Sequence, residues 1–269
     1  MRLFLSMAKF DNSLLWELRN ERSEYPSYLF GTMHARSEEA YNYFHLAEKY
    51  LSGCTVFSGE INLNEGSGNP NNFCFEKGES MKTILDERKY LKHAAKIKKY
   101  FGFELDNLCH LKPMIVLNTI MEDSLSKTYG LALDFQLKNT AEALGLTISG
   151  VETMKEQEEI FLKIPVALQM KMFVEMTKTI SKSSKSFSKL VSFYKNADLS
   201  GLYRSSKRTL GGLRKTLLFD RNIIMADRIA QQMTIDKTFF AIGAAHLGGS
   251  KGVLNFLAKK GVTAKAIVD

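Results

Sequence analysis

Cysteine is scarce in this chain: there are three in 269 residues, Cys54, Cys74 and Cys109, with no Cys-x-x-Cys pair. An odd, sparse set is not a disulfide framework, and a reducing compartment is the simpler expectation. Long hydrophobic runs are missing as well. No apolar stretch approaches the roughly 18 residues of a membrane span. The short early run is broken by Lys9 and Asp11, and no clear small-residue cleavage site follows. It reads as the start of a mature, cytoplasmic protein rather than a signal peptide. Histidine is rare too, with only five residues, so where they fall carries information.

What is present is ordinary for a globular chain: 45% hydrophobic and 25% charged residues. The length favours one domain with an insertion over two domains. The formal net charge of +8 raises nucleic acid or an acidic membrane as partners. Much of that charge falls in one stretch, however, at Arg88, Lys89, Lys92, Lys96, Lys98 and Lys99. The stretch lacks the interleaved aromatics of a nucleic-acid surface. It reads as a solvated helix face, and no nucleic-acid partner is expected.

The two ends of the chain repeat one pattern. Ser27–Phe30 reads as a strand, followed by Gly31-Thr32-Met33-His34, a helix over 38–51, Gly53 and a strand over 55–58. Thr238–Ile242 reads as a strand, followed by Gly243-Ala244-Ala245-His246, a helix over 253–260, Gly261 and a strand over 262–268. Each is a βαβ crossover, and two sharing a sheet place both histidines at carboxyl ends of strands. Between them, residues 62–78 read as an exposed loop and about 81–235 as mostly helical, with a strand over 146–149 and a break at Lys182–Ser186. The methionines of the 154–180 helix read as adaptable core. The predicted fold is therefore α/β. It is a single domain over 1–269, its mixed sheet built from two βαβ units, with a helical insertion covering the site.

His34 and His246 each lie three residues beyond a glycine, Gly31 or Gly243, that permits a sharp turn and close approach of another backbone. A histidine just beyond a strand suits general-base work or metal binding. Glu60 follows the 55–58 strand at the same edge. Two imidazoles and a carboxylate suffice to hold a hydrolytic divalent metal (Mn, Co or Zn) with an open position, or serve as a metal-free base with an orienting carboxylate. Arg221, in an Arg-Asn pair with Asn222, suits a substrate carboxylate or a developing oxyanion. Glu152 follows the 146–149 strand and is a candidate supporting residue, as is Asp134 near a helix start.

These residues carry a resemblance. Ser-Leu-Leu-Trp-Glu-Leu at 13–18 with Tyr-Leu-Phe-Gly-Thr-Met-His at 28–34 is similar to the opening signature of TraB/GumN proteins. Residues 239–254 resemble their closing signature. Leu133-Asp134 with Leu137, then Gly150–Thr153 with Gln157, and finally Leu217–Asn222 match the middle in order. The resemblance implies a fold shared with the Tiki metalloproteases and, more distantly, with erythromycin esterases and ChaN proteins. It implies metal-dependent peptidase chemistry, with His34, His246 and Glu60 as the site. Two alternatives stay open: a metal-free esterase, and a binding protein for a metal, haem or peptide. The substrate is expected to be a peptide or a small molecule.

Overall fold

The computed structural model describes residues 12–62, 64, 69–124 and 128–268. The chain divides into two compact units. The first comprises Met1–Glu65, Thr128–Thr153 and Leu190–Asp269; the second comprises Gly66–Lys127 and Met154–Lys189. The helical stretch expected between about 81 and 235 is thus divided, because 128–153 and 190–235 belong with the sheet.

The first unit is built on six strands: β1 (Leu15–Arg19), β2 (Ser27–Thr32), β3 (Val56–Ile61), β4 (Thr147–Glu152), β5 (Thr238–Gly243) and β6 (Thr263–Ile267). Their order is β4-β3-β5-β2-β1-β6. β2 pairs parallel to β5, β5 to β3 and β3 to β4, while β1 runs antiparallel to both β2 and β6. Five strands therefore point one way and β1 the other. Both predicted βαβ crossovers are present in direction, but neither joins neighbours. β5 lies between β2 and β3, and β2 and β1 lie between β5 and β6. β1 was not anticipated; its residues read only as a signature. Leu15, Trp16 and Leu18 are all buried, so no alternation marks them as a strand.

β3 and β4 run further than expected. Gly59 and Gly150 lie inside the strands, opposite each other in register. A side chain at Gly150 would meet the Asn62 amide nitrogen at 2.3 Å, so glycine here permits close strand approach rather than ending the strand. Glu60 and Glu152 are consequently strand residues.

Helices cover both faces. Tyr28, Phe57 and Phe239 share one face in register, and Tyr50 of the Phe44–Leu51 helix packs on Tyr28 at 5.0 Å between ring centroids. On the other face the Ser58 hydroxyl donates to Gln232 of the Asp220–Gln232 helix. Central strands buried on both sides account for the apolar runs at Leu29-Phe30 and Phe239–Ile242. Asp220–Gln232 is entered through a π-helical turn, Lys215–Phe219.

The second unit is helical: Met81–Ile84, Glu87–Phe101, Pro113–Ser124, Met154–Leu162 and Val166–Lys178 enclose Met81, Tyr90, Ile97, Val116, Ile120, Met170 and Phe173. The long helix expected from Met154 breaks at Pro165, which cannot donate to a preceding turn. The Ser-Lys segment expected as a break is instead helical, within Ile180–Lys195.

Candidate active site at the carboxyl edge of the sheet

β2 and β5 are parallel neighbours that end level, with Thr32 opposite Gly243. The chain leaves β2 for β3 on one side of the pair and leaves β5 for β6 on the other. This is a topological switch point, where open α/β sheets form a crevice beyond their strand ends. His34 and His246 both lie on the loops that leave it.

The two glycines of the motifs have different tasks. A side chain at Gly31 would meet Leu247 at 2.7 Å and the Ala244 Cα at 3.1 Å, so Gly31 lets the second motif's turn pack directly on β2. The Gly31 carbonyl accepts from the buried Tyr194 hydroxyl at 2.9 Å. The Gly243 amide donates to Glu60 Oε2 at 3.0 Å.

His246 is 7% exposed. Its Nδ1 lies 2.5 Å from Asn222 Oδ1, while Asn222 Nδ2 donates to the Lys251 carbonyl. A carbonyl only accepts, so the Asn222 amide is oriented with its oxygen toward the ring. Nδ1 must then carry the proton, and Nε2 is the lone-pair atom. Burial, reinforced by the Arg221 charge and opposed by Glu60, pulls this imidazole down to about 4, so it is neutral at pH 7.

Arg221 follows one residue into the same helix and is clasped by two carboxylates. It donates to Glu152 from Nε at 3.0 Å and from Nη2 at 2.6 Å, and to Glu60 from Nη2 at 2.5 Å. Burial alone would raise the Glu60 pKa; Arg221, His246 and the Gly243 amide outweigh it and hold the carboxyl down at about 2. Arg221 thus pairs with two carboxylates, where the sequence suggested a contact for a substrate carboxylate or an oxyanion.

His34 is held differently. Its side chain is 42% exposed, and Nδ1 lies 2.6 Å from Asp134 Oδ2. Asp134 is in the first turn of the Leu133–Ala143 helix, where the helix dipole favours a carboxylate. Its other oxygen, Oδ1, is buried without a hydrogen-bond partner. Nδ1 of this ring is thereby engaged by Asp134, as Nδ1 of His246 is by Asn222.

The structure thus sets the His246–Asn222 pair beside a network of Glu60, Arg221, Glu152 and Gly243, and pairs His34 with Asp134. Tyr194 and the Lys251 carbonyl were not foreseen; no local pattern in the sequence points to either. The donor chemistry of His34, His246 and Glu60 suits a divalent cation. Their arrangement does not close around one: among the described residues no three His, Cys, Asp or Glu side chains converge to hold a metal ion.

A profile of the TraB/PrgY/gumN family matches residues 14–266. The chain is 23% identical over 311 residues to a zebrafish (Danio rerio) protein named Metalloprotease TIKI2, covering 93% of this chain and 60% of that protein. The chain therefore spans about 60% of the length of that curated relative. No solved structure is significantly similar.

Proposed function

For a chain that belongs to the TraB/PrgY/gumN family, we propose a hydrolase that cleaves a peptide or amide bond at the crevice between β2 and β5. The observation that carries this reading is that both motif imidazoles have Nδ1 engaged by an oriented oxygen, Asp134 for His34 and Asn222 for His246. That is how proteins prepare a histidine whose Nε2 must bind a metal or take a proton. Neutral His246 keeps that lone pair at physiological pH. Exposed His34 is the one that meets substrate and water. Glu152 anchors Arg221, and Arg221 with the Gly243 amide fixes Glu60, whose ionised carboxylate adds negative charge beside His246.

The relative's name makes a divalent metal (Mn, Co or Zn) part of the proposal, with His34, His246 and Glu60 as its donors. When bound, such an ion supplies an acidified water and polarises the carbonyl. Glu60 is engaged by Arg221 and Gly243 as the structure stands.

A second reading has its own support. Asp134 at 2.6 Å from His34 is an acid–histidine pair able to act as a general base without metal. Peptide hydrolysis by purified protein, before and after exhaustive chelation and alongside elemental analysis, separates the two. Activity that disappears with chelator and returns with metal supports the first reading. Full activity in metal-free protein supports the second, and no turnover on any peptide or ester overturns both.

A further inference from the structure

Next to the His34 loop lies a cavity of about 360 Å³ lined by Tyr41, Phe44, His45, Tyr129, Gly130, Leu131 and Gln136. It has no role in the network described above. Its floor is aromatic: the Tyr41 and Tyr129 rings stack 3.8 Å apart at 6°, and Phe44 tilts against Tyr41 at 5.8 Å. The Tyr41 hydroxyl donates to the Leu131 carbonyl, so it is directed into the wall. Among the described residues, no acidic residue, lysine or arginine lines the space. Tyr129, Leu131 and the neighbouring Phe135 are 38%, 42% and 37% exposed, an apolar cluster at the surface.

The wall is tied to the catalytic loop. The Tyr129 amide donates to the Arg36 carbonyl at 2.9 Å, and the Leu133 amide to the Ala35 carbonyl at 3.1 Å. Asp134, which holds His34, is followed directly by Phe135, whose ring meets the His34 ring edge-on at 5.6 Å, and by Gln136 in the cavity wall. The cavity wall and the residue that holds His34 therefore belong to one continuous stretch, 129–136.

We propose that this cavity is the subsite for one bulky apolar side chain, by preference aromatic, of the peptide cleaved at His34. Specificity in this protein then comes from a stacked tyrosine wall. The volume falls within the about 300–1,000 Å³ of ligand pockets and has room for one large side chain. Aromatic faces offer offset-stacked or edge-on contact to another ring. The proposal rests on the hydrolase reading for what happens to the bound peptide, but not for the binding itself.

The test uses the full chain labelled with 3-fluorotyrosine, the Tyr41 and Tyr129 signals being assigned through Tyr→Phe variants. N-acetyl-phenylalaninamide should shift both signals saturably by fluorine NMR, and N-acetyl-alaninamide should not. Leu131→Asp, at an exposed position whose backbone carbonyl is retained, should weaken that binding at least tenfold. In a peptide library, wild type should favour an aromatic residue at one fixed place relative to the cut. Leu131→Asp should lose that preference. Saturable binding with no cleavage of any peptide would defeat the hydrolase reading and leave the subsite standing. No shift with the phenylalanine amide, equal shifts with both amides, or a shift only with methyl glucoside would overturn the subsite.

Discussion

Asn222 decides which nitrogen of His246 carries the proton. Its own amide is oriented by the Lys251 carbonyl, so the whole relay is fixed by a backbone atom that cannot change role. Asn222→Ala should lower kcat/KM about ten- to a hundredfold, the usual cost of losing an outer partner of a working histidine. It should also cost about 1–3 kcal/mol of stability, since a buried acceptor and a buried ring nitrogen lose their partner. Asn222→Asp restores an acceptor and should recover most of the activity, with the lower limb of the pH–rate profile moved to higher pH. Urea unfolding and steady-state kinetics read the two effects separately. The His246 environment also predicts acid lability. Its folded pKa, about 4, is below the ordinary histidine value. As pH falls from about 6.5 to 4, the unfolded chain therefore takes up a proton that the folded protein refuses. Stability of chelator-treated protein should fall over that window by at most about 3 kcal/mol. Glu60, held at about 2, adds loss in the same direction at still lower pH. His246→Asn should flatten the upper part of the curve. An unchanged slope would show that His246 titrates normally.

At the scale of elements, Gly31 is where the two motifs touch. Gly31→Ala would drive a methyl into Leu247 and Ala244 and should cost about 1–3 kcal/mol by overpacking, visible as a lower denaturation midpoint. The basic helix Glu87–Phe101 yields a second expectation. Lys92 and Lys99 are exposed, but the Lys96 ammonium reaches the Thr177 carbonyl at 3.0 Å at the end of the Val166–Lys178 helix. Lys96→Gln should destabilise by about 0.5–1 kcal/mol, while Lys92→Gln and Lys99→Gln stay near neutral in thermal unfolding. The local pattern revealed β2, β5 and their glycines, because apolar runs ending in Gly-x-x-His are short-range signals. It did not reveal that β5 inserts between β2 and β3, or that β1 turns back beside β2. Those pairings depend on partners far along the chain, and a strand buried on both faces has no alternation to betray it. Glu60 was read as lying just beyond its strand, because Gly59 looks like a terminator when its partner Gly150 is unseen. Asp134 was legible as a helix-start carboxylate and a candidate supporting residue, but its contact with His34 spans 100 positions and left no local sign.

At the scale of the whole chain, the family match over residues 14–266 takes in both motifs and the helices that hold them. The ends of the chain meet in one sheet, where β6 pairs with β1 and β5 lies between β2 and β3. The first and second Gly-x-x-His units are thereby brought to adjacent strand ends. The central claim is that they form a single hydrolytic site, and the most direct measurement is a double-mutant cycle on peptide hydrolysis with His34→Ala, His246→Ala and the pair together. Groups that act as a unit are non-additive. Each single change should lower kcat/KM by about a hundredfold or more, with the double variant no slower than the worse single and unfolding midpoints little moved. Losses that multiply in the double variant, or a single variant that retains wild-type activity, would contradict it.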